Sequence, residues 1–138
     1  MTGDAPLLIG PLLIIDAANV VGSVPNGWWR DRVGAATRLR DALIPVTSSG
    51  LPDAPDGLSA PVEVVMVVEG AATSVSGIPE VGVVAAPGTG DDTIVDLVRA
   101  AGTERVRAVV TADRGLRDRV TELGALVLGP RALPHLHR

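Results

Sequence analysis

Five short aliphatic runs constrain the fold of this chain more than any other feature of its sequence. Each run consists almost entirely of Val, Leu, Ile and Ala, and apolar residues do not alternate with polar ones along it. Such runs are typical of strands buried on both faces, as in a parallel sheet covered by helices. The predicted strands are residues 11–15, 62–68, 81–86, 106–111 and 125–128.

The segments between these runs predict helices and one long loop. Residues 45–61 are rich in Pro, Ser, Gly and Asp and predict a flexible loop, whereas residues 71–79 allow a helical turn at most. Strands that alternate with helices in a chain of 138 residues predict one α/β domain spanning residues 1–138. Apolar side chains recur at helical spacing over residues 26–44, 91–101 and 115–123.

Acidic residues stand at the carboxyl ends of the predicted strands. In an open parallel sheet, ligands bind beyond these ends, where the strand order reverses. Carboxylate oxygens suit Mg²⁺ or Mn²⁺. Such an ion stabilises charge on a transferring phosphoryl group and lowers the pKa of a bound water. The residues concerned are Asp16, Glu69, Asp91, Asp92 and Asp113.

Each of these residues also has a simpler interpretation. Asp113 and the Asp pair after the third strand could cap the helices that they precede, and Glu69 could be an ordinary turn residue. Asp16 is the hardest to explain in this way, because residues 17–20 show no obvious helix for it to cap. The prediction of a cation site therefore depends on the joint arrangement of the carboxylates.

The composition excludes several classes of function. All 12 basic residues are arginine, so the chain has no lysine for a Walker A loop or for Schiff-base chemistry. It has no cysteine, which excludes disulfides and thiolate metal sites. With 16 acidic residues the net charge is −4, so the chain has no generally basic nucleic-acid-binding surface, and any basic footprint must be local.

The longest apolar stretch does not predict a membrane segment. It covers residues 5–15, is interrupted by Gly10 and Pro11, and is too short to span a bilayer. No positively charged segment precedes it, as a signal peptide would require. We therefore expect a cytoplasmic protein that has no membrane partner.

Four motifs in the chain resemble a known family. Together they are similar to NYN domains of the PIN-like nuclease superfamily, and most of all to the YacP-like branch. This resemblance implies a single-domain, three-layer α/β sandwich with a five-stranded, mainly parallel sheet of order 3-2-1-4-5. It also implies metal-dependent ribonuclease activity. The motifs are LLIIDAANVVG at 12–22, GTGDDTI at 88–94, VTADRGLR at 110–117 and GALVLGPR at 124–131.

The same resemblance implies roles for individual residues. Three carboxylates would hold Mg²⁺ or Mn²⁺, and Glu69 is a further candidate ligand. Asn19 would orient the first carboxylate or contact a phosphate, and Asp92 would share the role of its neighbour. The three implied ligands are Asp16, Asp91 and Asp113.

One position departs from the pattern of the family. Val95 stands where the resemblance leads us to expect a second acidic residue in the helix. Asp96 is acidic but lies one position later.

Arginines and tryptophans are the candidates for contact with a substrate. Arg114 and Arg131 follow two strand ends and could hold phosphates. Arg114 could equally be ordinary solvated surface, and for Arg131 we favour that interpretation. Trp28 and Trp29 could stack a base. For the tryptophans we favour a structural role, in which Trp29 packs against the sheet and Trp28 covers the start of the helix.

These features predict a divalent-metal-dependent endoribonuclease that hydrolyses RNA phosphodiesters with a metal-activated water. RNA is the expected partner, and a homodimer is an open alternative. Two other functions stay open. The first is a non-catalytic RNA- or protein-binding module with a residual cation site, and the second is a nucleotide pyrophosphohydrolase.

Overall fold

The aliphatic runs form the strands of a central sheet. The computed structural model describes residues 10–24 and 27–133. All strand pairs in the sheet are parallel, and the order is β3-β2-β1-β4-β5. The predicted α/β fold and strand order are therefore confirmed. The strands are β1 (Leu12–Asp16), β2 (Glu63–Val68), β3 (Val81–Ala85), β4 (Arg107–Val110) and β5 (Leu126–Leu128).

Among the described residues, five α-helices and two 3₁₀ turns lie between the strands, and a third 3₁₀ turn follows β5. The 3₁₀ turns are Trp28–Arg30, Gly70–Ser74 and Pro130–Ala132. Within the part of the chain that the structure describes, none of the helices has the length and apolar character needed to cross a bilayer. The helices are α1 (Ala17–Gly22), α2 (Arg32–Ala42), α3 (Ile44–Ser49), α4 (Gly90–Ala101) and α5 (Arg114–Glu122).

Helices cover both faces of the sheet and produce three layers. Successive strand side chains point to opposite faces, so Leu13 and Ile15 belong to one core and Leu12 and Ile14 to the other. Helices α1, α2 and α3 pack on the first face, and α4 and α5 pack on the second. After β3 the chain crosses to the second face of the sheet and continues with β4 on the other side of β1. The strand order therefore reverses at β1, in the middle of the sheet.

The first predicted helix differs from the observed structure. Residues 26–44 do not form one helix; Asn26 lies outside the described residues, and α2 begins only at Arg32. Asp31 starts α2 as its N-cap, since its side chain accepts a hydrogen bond from the Gly34 N–H at 2.8 Å. An N-cap adopts non-helical backbone angles, so the helix cannot continue through Asp31.

A short helix, α1, begins directly after Asp16, where the sequence showed none. Two of its residues, Ala17 and Val20, are buried against the first face of the sheet. A helix of this length has little stability of its own and depends on such packing. The expectation that Asp16 precedes no helix was therefore wrong.

The predicted loop at residues 45–61 begins with a helix, α3. Pro45 occupies its first turn, where the missing N–H has no helical partner to lose. The rest of the segment has no regular structure, but Leu51 and Leu58 are buried in the core. The loop prediction was therefore wrong at its start, and the flexibility of the segment stays a prediction.

Candidate functional site

Asp16 lies at the centre of the edge formed by the carboxyl ends of the strands. It is the last residue of β1, which has β2 on one side and β4 on the other. Its side chain is buried, and the residue is only 5% exposed. The hydroxyl of Thr111 donates a hydrogen bond to Asp16 Oδ2 at 2.8 Å. The sheet therefore holds this carboxylate in a fixed position.

The surroundings raise the pKa of Asp16 above its ordinary value of 3.8. Burial is the largest cause, because it removes water from the charged form. The hydrogen bond from Thr111 lowers the pKa, and so does the nearby backbone N–H of Asn19. The contact with this N–H does not have the geometry of a capping hydrogen bond. The negative charges of Asp91 and Glu69 raise it further, which shows that these side chains lie near Asp16.

The segment after β4 is tied to Asp16 and to α1. Thr111, which is fully buried, accepts a hydrogen bond from the Asp113 N–H at 3.1 Å while its hydroxyl holds Asp16. The Asn19 side chain accepts the Ala112 N–H at 2.8 Å. Asn19 therefore fixes the loop that carries Asp113, and this is the contact that the structure gives to its side-chain oxygen.

Asp113 caps α5, as one of the two sequence interpretations allowed. Its Oδ1 accepts the Leu116 N–H at 2.9 Å, and its backbone has extended angles. The side chain remains exposed at the edge of the sheet. A carboxylate has about four lone-pair sites on two oxygens, so capping leaves Asp113 capacity for another ligand.

Glu69 is connected to the start of α4. Its Oε2 accepts the Gly90 N–H at 2.7 Å, which satisfies one of the free donors at the helix N-terminus. A Cβ atom at position 90 would lie 2.9 Å from the same oxygen, so the Glu69 carboxylate would have to shift for any other residue there. Glu69 is therefore more than a surface turn residue, because it positions the helix that carries Asp91.

The two neighbouring Asp residues of α4 differ. The pKa of Asp91 is raised, first by burial, then by the charges of Asp113 and Glu69; Arg119 lowers it, and Asp92 raises it slightly. Asp92 is exposed and forms an ion pair with Arg119 at 3.0 Å. Neither caps α4, since the N-cap position belongs to Thr89.

Four carboxylates thus lie at one edge of the sheet, where the charges of Asp91 and Glu69 act on Asp16 and those of Asp113 and Glu69 act on Asp91. We call Asp16, Glu69, Asp91 and Asp113 the acidic edge. Among residues 10–24 and 27–133, no three His, Cys, Asp or Glu side chains lie close enough together to form a ready-made metal-binding group. The acidic edge therefore brings the predicted ligands into one region without assembling them around a single point.

Val95 lies inside the protein. It is 4% exposed and belongs to the core between α4 and the second face of the sheet. An acidic side chain here would lose its hydration without a partner. Asp96, the next residue, is exposed and pairs with Arg99 at 3.5 Å, so it does not join the acidic edge.

The two candidate phosphate-binding arginines lie in different places. Arg114 is the first residue of α5, follows Asp113 directly and is exposed. Within the described part of the chain, its guanidinium forms no hydrogen bond or ion pair. Arg131 lies in the last 3₁₀ turn and lines a small cleft with residues 51–55. Of the two, Arg114 is thus the one placed beside the acidic edge.

The two tryptophans differ in exposure, and only Trp28 lies where it was predicted, beside the start of α2. Trp29 is 54% exposed, so the prediction that it packs against the sheet was wrong. Trp28 is half-buried, and its ring lies 3.6 Å from where a Cβ on Gly22 of α1 would be. Arg32 places its guanidinium carbon 5.3 Å from the centre of the Trp28 ring, which is a cation–π distance.

A cavity of about 270 Å³ opens beside Trp28, between α1, α2 and the end of β2. We call it the tryptophan cavity. A larger cleft, of about 750 Å³, lies near Gly10, Thr103 and Val106, where the strands begin, and is thus at the opposite edge of the sheet. The tryptophan cavity adjoins the acidic edge through the shared residue Glu69. Its lining includes Ala17, Ala18, Trp28, Arg32, Ala36 and Glu69.

Sequence reasoning missed Thr111 and Arg32 as site residues. Thr111 directly follows β4, and a hydroxyl at a strand end two residues before an Asp is a signal that could have identified it. The stacking of Arg32 on Trp28 has no comparable signal, because the 3₁₀ turn and the start of α2 decide which arginine meets the ring.

Comparisons with known proteins support the fold. No protein-family model matches the chain, and no curated protein matches it. Among solved structures, the chain is similar to a crystal structure of a Rae1 (YacP) mutant from Bacillus subtilis, with a TM-score of 0.71 and 20% sequence identity. The match covers 91% of this chain and 73% of the other. The chain therefore shares the fold of Rae1 (YacP). Its sequence motifs resemble the YacP-like branch.

Proposed function

We propose that the protein is a divalent-metal-dependent ribonuclease that hydrolyses RNA phosphodiesters. The observation that carries this proposal is the buried carboxylate of Asp16, held at the centre of the acidic edge with a raised pKa. Close negative charges without compensation are unfavourable, and a divalent cation would neutralise them. The motifs that resemble NYN domains and the fold shared with Rae1 (YacP) support the same proposal.

The chemistry of the acidic edge fits Mg²⁺ or Mn²⁺. Its donors are all carboxylate oxygens, which these hard cations prefer. Asp16, Asp91 and Asp113 would hold the ion, and Glu69 is a further candidate although its Oε2 already accepts the Gly90 N–H. When bound, such a cation lowers the pKa of a water and neutralises charge on a phosphate.

The residues around the acidic edge would position the reacting groups. Thr111 keeps the Asp16 carboxylate oriented through its hydroxyl, and Asn19 holds the loop that carries Asp113. Arg114, exposed beside that loop, is a donor for a phosphate oxygen of the RNA. Arg114 would thus bind the substrate backbone without reading its sequence.

Single-turnover cleavage of a labelled RNA tests this proposal. We expect cleavage in Mg²⁺ or Mn²⁺ and none in chelator. Asp16→Asn should abolish it, because the change removes one charge from the ligand set at constant volume. The matched control is Asp96→Asn, at an exposed carboxylate that pairs with Arg99; this variant should cleave like the wild type. Equal cleavage by Asp16→Asn and wild type would indicate a contaminating nuclease and refute the proposal.

A second candidate is a non-catalytic RNA-binding module with a weak cation site. It is favoured by the absence, among the described residues, of a ready-made group of three ligands, and by the core position of Val95. Binding of RNA by the wild type without any cleavage in either metal would support it. A nucleoside triphosphate in the same assay covers the pyrophosphohydrolase alternative, since its hydrolysis with intact RNA would identify a small-nucleotide substrate.

A further inference from the structure

We propose that the tryptophan cavity binds an unpaired nucleobase of the RNA, next to the phosphodiester at the acidic edge. This inference rests on the proposed function, because it takes RNA as the ligand. It assigns a base-binding role to Trp28 and Arg32, whose side chains both line the cavity.

The first argument is the chemistry of the lining. Single-stranded RNA is recognised by stacking its bases on aromatic rings and on arginine guanidinium planes. The cavity offers both, since Arg32 lies over the Trp28 ring at 5.3 Å from its centre. Small side chains complete the wall and leave space beside the indole; they are Ala17, Ala18, Ala36 and Ala72.

The second argument is size. The cavity has a volume of about 270 Å³. Pockets for drug-sized molecules have about 300 to 1,000 Å³, so this one suits a single planar ring system better than a larger ligand. Because one side is open to solvent, the rest of an RNA strand could leave the cavity without entering the core.

The third argument is continuity with the acidic edge. Glu69 lines the cavity, and its Oε2 also accepts the Gly90 N–H at 2.7 Å at the start of α4, which carries Asp91, so the two sites share a side chain. Ala17 and Ala18 of the lining follow Asp16 directly in the chain. A base in the cavity would therefore place its own backbone phosphate beside the carboxylates, as a substrate requires.

The neighbouring tryptophan provides a matched control. Trp29 contacts Trp28 edge to face, with ring centres 6.1 Å apart, but it is exposed and does not line the cavity. The chain contains two tryptophans in total. Trp29→Phe therefore leaves Trp28 as the only indole fluorophore, and Trp28→Phe leaves Trp29.

The first experiment measures indole fluorescence during titration with a short single-stranded RNA in Mg²⁺. The full chain carries Asp16→Asn, so that the RNA stays intact whether or not the wild type cleaves it. We expect quenching in the Trp29→Phe protein, which retains Trp28, and much weaker quenching in the Trp28→Phe protein. An abasic strand of the same length should not quench Trp28. No quenching of Trp28, or equal quenching by the abasic strand, overturns the proposal.

The second experiment measures RNA affinity in the same background. Trp28→Ala should weaken binding about 5- to 150-fold, the range found when a stacking aromatic is removed. Trp29→Ala should change it less than twofold, and Trp28→Phe should keep most of the affinity. Equal losses for Trp28→Ala and Trp29→Ala would overturn the proposal. If Trp28→Ala does not fold, the fluorescence titration decides.

The two proposals fail in different ways. Quenching of Trp28 together with no cleavage by the wild type would refute the ribonuclease and leave the base-binding cavity in place. Cleavage by the wild type without quenching of Trp28 would refute base binding in the cavity and leave the ribonuclease proposal in place.

Discussion

At the scale of the residue, the buried carboxylate of Asp16 lowers the stability of the fold when it is charged. Burial and two neighbouring carboxylates raise its pKa above 3.8, the value for an unfolded chain. The folded state therefore binds this proton more readily than the unfolded state does. The contribution of Asp16 to stability therefore falls as the pH rises from the unfolded pKa through the folded pKa, and the penalty is fully present above the folded pKa.

Asp16→Asn should therefore raise the melting temperature at pH 7 in chelator. Asparagine removes the charge and can still accept the Thr111 hydroxyl. The gain should shrink as the pH falls through the folded pKa of Asp16, because the wild-type carboxyl then becomes protonated. Thermal melts over this pH range measure the effect, and Asp96→Asn, at an exposed position, should show no such trend. A variant less stable than the wild type at pH 7 in chelator would contradict the argument.

Thr111 makes a second prediction at this scale. Thr111→Val keeps the shape of the buried side chain but removes the donor to Asp16 and the acceptor for the Asp113 N–H. We expect the free energy of unfolding to fall by about 1 to 3 kcal/mol, the cost of unsatisfied buried polar groups. Thr111→Ser retains the hydroxyl and should lose less. Urea unfolding of both variants measures the difference, and equal losses would show that the methyl group contributes as much as the hydroxyl.

At the scale of the element, one buried arginine donates hydrogen bonds to carbonyl groups at the C-terminal ends of two helices. Arg107 of β4 is 3% exposed and donates to Val98 O near the end of α4 at 2.9 Å and to Leu123 O after α5 at 2.7 Å. These carbonyls lie at helix C-termini, where intrahelical donors run out and the helix dipole favours a cation. Arg107 thus fixes both helices of the second layer, and through them Asp91 and Asp113.

Arg107→Met should lower the free energy of unfolding by about 1.5 to 3 kcal/mol, as for hydrogen bonds that involve a charged group. Arg107→Lys should recover only part of this, because an ammonium lacks the fork that reaches two carbonyls. Denaturant unfolding gives the magnitudes, and amide exchange should accelerate at the last turns of α4 and α5. The control is Arg99→Met on the exposed side of α4, which should change stability by less than about 0.5 kcal/mol.

At the scale of the whole molecule, a cation at the acidic edge would join three parts of the chain. The three proposed ligands, Asp16, Asp91 and Asp113, come from β1, from the start of α4 and from the loop after β4. Because the unfolded chain does not hold them together, a cation that binds them shifts the folding equilibrium towards the native state.

We therefore expect Mn²⁺ to raise the melting temperature relative to chelator, and Ca²⁺ to raise it less, since small carboxylate sites favour the smaller ion. The gain in stability is about 2.7 kcal/mol at a hundredfold excess over Kd. Asp16→Asn should remove most of it. Identical melting curves in Mn²⁺ and chelator would show that these carboxylates act as helix caps and not as ligands.

Much of the fold was predictable because it is encoded locally. Five aliphatic runs mark the strands within one residue at each end, and the helices over 91–101 and 115–123 were also placed within one. The acidic residues at the strand ends were predictable for the same reason, since a polar residue after a buried run must lie at an edge of the sheet. The strand order came from the resemblance of the motifs to NYN domains, and it is confirmed.

The sequence by itself therefore determined the layers, the strands and the edge at which the carboxylates lie. Only the tertiary structure decided how individual side chains are used there. It turned Trp28 towards a cavity and Trp29 towards solvent, placed Val95 in the core, and brought Thr111 to Asp16 across 95 residues of chain. The physical reason is that periodicity specifies which face a residue occupies, whereas contacts between distant segments decide which atoms meet.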